Sequence, residues 1–190
     1  MSRALKNTIA IIVILAISVS LGYAYDKVAT AYEKRAHPLK YSEFVEKYSE
    51  LYNVPREIIY GVIKAESGFR SDAISDSAGA IGLMQIMPST YEDIAERLLG
   101  EFAAVGLLYD PDTNIKYGTF YLRHLYDRFK SWELAYAAYN AGPSRVNAWL
   151  GNPEYISDGE IVYIPIEETR NYVQRVKKNR EVYKRLYFSD

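Results

Sequence analysis

The chain has 190 residues, enough for one compact domain plus an appendage, and 49% of them are hydrophobic, enough to fill a core. Its 23 basic and 24 acidic residues leave a formal net charge of -1, which argues against nucleic acid as a partner and suits a neutral or zwitterionic substrate. No cysteine is present, which excludes disulfides, thiol nucleophiles, thiolate metal sites and an acylated-cysteine anchor. Two isolated histidines, His37 and His124, are too few for a zinc hydrolase or a His-based triad and read as surface or packing residues. Carboxylates remain as the chemical tools. Tyrosine is over-represented, with 19 residues against 6 Phe and 2 Trp. Its ring and hydroxyl suit sugar faces, although most are expected half-buried at helix edges.

Thr8 to Tyr25 is uncharged, apolar and β-branched, with Arg3 and Lys6 before it. At about 1.5 Å per residue it nearly spans a hydrocarbon layer of about 30 Å. A cleaved secretory signal and an uncleaved anchor both fit, and the residues favour the anchor. Leu21, Tyr23 and Tyr25 interrupt the small residues that a cleavage site needs. Residues 1–25 are therefore expected to be a signal anchor, and 26–39, rich in charge, a linker or helical stalk. If the amino terminus stays inside, the rest of the chain lies outside the cytoplasmic membrane, in periplasm or cell wall; cleavage would release it as a secreted protein.

Residues 40–190 read as a mainly α domain. A first helix over Tyr41–Tyr52 places Phe44, Val45, Tyr48 and Leu51 on one stripe. Pro55 opens a second helix, and Pro88 opens one that runs to Leu99 before Gly100. Asp110-Pro111-Asp112 caps a helix to about Phe129, and Ser131 caps the next, which ends at Ala141. A short helix follows from Pro143 to Leu150. Alternating residues over 155–166 suggest a short hairpin or an irregular loop, and Glu167 to Tyr187 forms the last helix.

The second helix carries the chemical signal. Ile59, Val62, Ile63 and Glu66 recur at helical steps, so Glu66 projects from the apolar face. A carboxyl held there keeps its proton toward neutrality, as a glycosidase acid must. Pairing with Arg70 one turn on, in a packing role, is the competing reading. The loop from Ser75 to Gln85 is rich in small residues; Gly79 and Gly82 allow close backbone approach, and Gln85 offers an amide that suits an N-acetyl group. Met84 reads as core filling.

Four motifs then occur in order: Glu66-Ser67; Gly79-Ala80-Ile81-Gly82-Leu83-Met84-Gln85-Ile86-Met87-Pro88; Ala138-Tyr139-Asn140-Ala141-Gly142-Pro143; and Ile164-Pro165 with Glu168-Thr169-Arg170-Asn171-Tyr172-Val173. Together they make the chain from about Tyr41 to Tyr187 resemble the catalytic domain of soluble-lytic-transglycosylase-type enzymes. The resemblance implies a helical, lysozyme-like fold preceded by the hydrophobic segment. It makes Glu66 the catalytic acid and base, places Gln85, Met87 and Tyr139 around the scissile bond, and makes Glu168 a second cleft-side carboxylate. Asn140 and Arg170 are expected to hold the fold. The family's loop serine falls on Ser75 or Ser77, because spacing from Glu66 and from Gly79 disagrees by one residue.

The implied reaction is non-hydrolytic cleavage of the β-1,4 bond between N-acetylmuramic acid (MurNAc) and N-acetylglucosamine (GlcNAc) in peptidoglycan strands, leaving 1,6-anhydroMurNAc ends, with no metal or organic cofactor. A goose-type lysozyme-like hydrolase, with Asp72 or Asp76 as an added acid, is the first alternative. An inactive wall-binding module is the second.

Overall fold

The computed structural model describes residues 2–76, 79–157 and 160–189 and falls into two compact units, Met1–Pro38 and Leu39–Asp190. The first is one helix, α1 (Arg3–Ala36), capped by the Ser2 hydroxyl, which accepts from the Leu5 amide at 3.2 Å. Its 34 residues extend about 50 Å, longer than a hydrocarbon layer of about 30 Å. The apolar run and the charged stretch after it are thus a single helix. No residue of α1 is buried, and it is long and apolar enough to cross a membrane. Thr8, Ser18 and Ser20 return their hydroxyls to carbonyls four residues back, at 3.1, 2.9 and 2.8 Å. That removes the polar groups which lipid would leave unpaired.

The second unit holds α2 (Ser42–Tyr52), α3 (Arg56–Glu66), α4 (Pro88–Glu92), α5 (Pro111–Phe129), α6 (Trp132–Ala141), α7 (Pro143–Leu150) and α8 (Glu167–Tyr183). Between α7 and α8, β1 (Ile156–Ser157) pairs antiparallel with β2 (Glu160–Ile161) as a minimal hairpin. Local chemistry sets the helix starts. Pro88, Pro111 and Pro143 occupy first-turn positions, where no amide partner is lost. Asp110 accepts from the Thr113 amide at 2.9 Å, and Ser131 from Leu134 at 3.4 Å.

The expected helix from Pro88 to Leu99 is α-helical only to Glu92; Asp93–Leu99 widens into a π-helix, closed by Gly100 at φ +68°. The wider turn keeps Leu99 on the core side with the buried Ile94 and Ala95. A second departure is Leu51, expected on the α2 stripe but 63% exposed.

α3 is the central element. Six consecutive residues, Ile58 to Ile63, are buried, so it has no wet face between its polar ends. Gly61 lets α8 approach closely: a Cβ there would stand 3.2 Å from both the Arg180 nitrogen and the Val176 oxygen. Tyrosine does more in the core than the edge positions expected of it. Tyr60 stacks on Tyr183 at 5.0 Å, and Tyr91 meets Tyr117 edge-on at 4.6 Å, with all four rings buried.

Candidate active site

The candidate site forms where α3 ends. Glu66 is its last residue, and the chain reverses at once through Gly68 and Phe69, both at positive φ. Ser67, buried beside Glu66, donates its hydroxyl to the Leu83 carbonyl at 2.8 Å and so ties the small-residue loop to the end of α3. Arg70 turns its Nε to the Ser67 carbonyl at 3.1 Å, so the structure gives no support to a packing pair with Glu66.

The loop from Ala80 to Met87 is a compact double turn pinned on several sides. Ile81 bridges both Ile74 and Ile86. Asn114 of α5, 1% exposed, donates Nδ2 to the carbonyls of Ile81 at 2.9 Å and Leu108 at 2.7 Å, while its Oδ1 accepts from the Met84 amide at 2.8 Å. Gly82, at φ +80°, has no room for a Cβ, which would lie 2.5 Å from the Leu108 oxygen. Tyr139 of α6 adds a hydrogen bond from its hydroxyl to the Met84 carbonyl at 2.8 Å. Met84 itself is fully buried, as core filling requires.

These constraints open a cleft of about 220 Å³, lined by Glu66, Ser75, Ala80, Gln85, Met87, Tyr139, Asn140 and Glu168. Every described residue expected at the site is therefore brought together, from four separate parts of the sequence; Ser77 lies outside the described residues. Asn140, expected only to hold the fold, both lines the cleft and accepts from the Thr169 hydroxyl at 2.7 Å. Arg170 has the structural role expected of it, donating to the Ile164 carbonyl at 2.6 Å with its guanidinium over the Tyr163 ring. Asp72 and Asp76 are exposed and do not line the cleft.

Burial of the Glu66 carboxyl raises its pKa to about 7. The buried hydroxyl of Tyr172, which makes no hydrogen bond of full geometry, offers the carboxylate a weaker interaction that opposes the rise, and the Arg175 charge opposes it as well. The position at the carboxyl end of α3 disfavours the anion too, because the last helical carbonyls carry partial negative charge. Burial and the Glu66 charge in turn hold the Tyr139 hydroxyl far above the usual tyrosine range, so it stays a neutral donor.

Sequence reasoning missed Asn114, Ser67 and the Tyr172 hydroxyl. Asn114 carried a signal, a polar residue on the mainly apolar inner face of α5, but its partners Ile81 and Met84 lie some 30 residues away in the chain.

The sequence profile of the transglycosylase SLT domain matches residues 43–161. The soluble lytic murein transglycosylase of Escherichia coli K12 is 35% identical over 157 residues, covering 80% of this chain and 24% of that protein. Membrane-bound lytic murein transglycosylase C of Edwardsiella ictaluri is 28% identical over 208 residues, covering 97% of this chain and 55% of the relative. Among solved structures, the 70 kDa soluble lytic transglycosylase of Escherichia coli superposes with a TM-score of 0.73 at 33% identity, over 83% of this chain and 26% of the other. An inactive mutant of lytic transglycosylase Slt from Pseudomonas aeruginosa gives 0.72 at 34% identity, with the same coverage. The present chain thus spans a minor part of its soluble relatives and about half of the membrane-bound one. With its mainly α, lysozyme-like fold, it belongs to the transglycosylase SLT domain family.

Proposed function

We propose that this protein is a peptidoglycan lytic transglycosylase with Glu66 as its only acid and base. The observation that carries the reading is a carboxyl pushed up to about 7 in a cleft lined by Tyr139, Gln85 and Met87. At neutral pH a large share of Glu66 is protonated and can give its proton to the glycosidic oxygen as the C1–O bond breaks. The acetamido oxygen of the MurNAc unit closes on C1 and carries the developing charge. Glu66, now ionised, takes the proton of the C6 hydroxyl, whose oxygen displaces the acetamido oxygen and closes the 1,6-anhydro ring. Protons balance, and no water is consumed. Tyr139 orders the loop opposite Glu66, while Ser75, Met87 and Glu168 contact the strand. Exposure of Asp72 and Asp76 outside the cleft favours this route over hydrolysis, which would call on an added acid.

Mass spectrometry of digested peptidoglycan tests the reaction. Strands should end in 1,6-anhydroMurNAc, and a preponderance of reducing ends would replace this reading with the hydrolytic one. Glu66→Gln should lose more than about 10²-fold in wall-lysis rate; unchanged lysis would make the fold a wall-binding module.

The membrane-bound relative and the length of α1 support a membrane or periplasmic location. We read α1 as a retained single-pass anchor, with the catalytic unit on the extracytoplasmic side. Amino-terminal sequencing of protein extracted from membranes should find Met1 or Ser2; a start beyond Tyr25 would identify a cleaved signal.

A further inference from the structure

Past its apolar run, α1 continues from Asp26 to Ala36, a charged stretch beyond what a hydrocarbon layer of about 30 Å holds. This extension has two unlike sides. Asp26, Lys27, Glu33 and Lys34 fall on one side with Thr30, whereas Tyr25, Val28 and Tyr32 follow one another at steps of three and four on the other. Those three side chains are 77%, 70% and 75% exposed. Nothing in α1 packs against them, and a helix as short as this extension is marginal in water by itself. The row does not begin at the water boundary. Toward the amino terminus the same alternation of steps passes through Leu21, Ser18, Ile14 and Ile11, so one seam runs along the membrane segment and out into the stalk. A seven-residue repeat with apolar first and fourth places is the spacing by which two helices wrap around each other. Arg35 closes the row in the last turn of α1, where the terminal carbonyls favour its charge.

The flanks of the seam point to the helix that covers it. In coiled coils these places usually carry the charges that choose a partner. Here they are Gly22, Ala24, Ala29, Ala31 and Ala36, and the charges lie further round the helix. A foreign helix finds no charge there to recognise. Small flanks let two backbones approach closely and leave room for the Tyr25 and Tyr32 rings between them. An identical helix fits by symmetry, because it enters the same membrane in the same direction and meets Tyr25 with Tyr25 and Val28 with Val28. The outer charges alternate, Asp26 with Lys27 and Glu33 with Lys34, so two copies do not repel. We propose that the face of α1 running through Leu21, Tyr25, Val28 and Tyr32 binds a second copy of this chain, forming a parallel two-helix anchor. The inference rests on the reading of α1 as a retained anchor. Pairing gives the stalk the packing that a lone helix lacks, and it brings two catalytic units to the same patch of wall.

Because the chain has no cysteine, single introduced cysteines report the contact directly. Two of them bridge only when their Cα atoms come within about 7 Å. Leu21→Cys and Val28→Cys lie on the seam and Thr30→Cys on the opposite side; each full chain is oxidised in bacterial membranes with copper phenanthroline. The seam variants should give covalent homodimer in at least roughly tenfold higher yield than Thr30→Cys. Equal yields at all three positions would indicate random collision and overturn the proposal, as would intact chains that do not cross-link. A disulfide to a different protein would overturn it in favour of a foreign partner. Wild-type protein in mild detergent should sediment as two chains of 21.8 kDa, and Val28→Lys as one; a monomeric wild type would also overturn the proposal. Glycan cleavage should be unchanged in every variant, which shows the catalytic unit folded. Membrane protein that starts beyond Tyr25 would instead remove the anchor reading, and the pairing with it.

Discussion

Glu66 is an acid kept neutral by position. Its pKa rises from 4.5 to about 7 through burial, against the opposing pull of Tyr172 and Arg175. Because the folded chain holds this proton to higher pH than the unfolded chain does, ionisation costs nothing below about pH 4.5 and its cost grows through pH 7, reaching about 3 kcal/mol in alkali. Glu66→Gln should therefore leave the melting temperature unchanged near pH 4, raise it increasingly between about pH 4.5 and pH 7, and hold a constant advantage above about pH 8. Melting curves across that range check it, and a pH-independent difference would contradict a raised pKa. Activity follows the same proton: kcat should fall as pH rises through about 7, since the general acid is lost. At this scale the sequence was informative. Glu66 stood at a helical step from Ile59, Val62 and Ile63, and its motif companions Gln85, Met87 and Tyr139 all line its cleft. What the sequence lacked was polarity: Gln85 gives its donors to backbone, and Tyr139 gives its hydroxyl to Met84.

Among the elements, the double turn over Ala80–Met87 and the α3–α8 contact decide whether a cleft exists. Three hydrogen bonds to backbone converge on the buried Asn114 side chain. Asn114→Leu should cost about 2–4 kcal/mol, because the Met84 amide and two carbonyls lose their partner inside the protein. It should also lower activity, since the Met84–Gln85 segment would lose its brace. Urea unfolding together with turnover checks both, and an active variant of normal stability would show the turn to be self-supporting. Gly61→Val places carbon against backbone on two sides of the α3–α8 contact, where neither Val176 nor Arg180 can swing away, and should cost about 1–3 kcal/mol. Helix starts were legible, because Pro88, Pro111, Pro143, Asp110 and Ser131 act within one turn of themselves. The π-helical end over Asp93–Leu99 was not, because it answers to burial of Ile94 and Leu99 by other elements.

For the whole molecule, the two units differ in what stabilises them. Among the described residues, every buried apolar side chain lies in Leu39–Asp190 and none lies in α1. A chain lacking residues 1–38 should fold with a melting temperature within a few degrees of the full chain, cleave soluble glycan strands, and leave the membrane fraction. Fractionation with thermal unfolding checks this, and loss of folding would mean that α1 contributes to the core. The amino-acid sequence determined the helix starts, the apolar segment and the place of Glu66 on the apolar face of α3, since these depend on neighbours within a turn or on uninterrupted runs. Only the tertiary structure decided which groups surround that carboxyl and which atoms of Gln85, Asn140 and Tyr139 are committed to partners within the fold. The physical reason is pairing over long distances. A side chain's remaining hydrogen-bonding capacity is fixed by partners such as Ala73, Met84 and Thr169, and folding alone brings those partners within 3 Å or so.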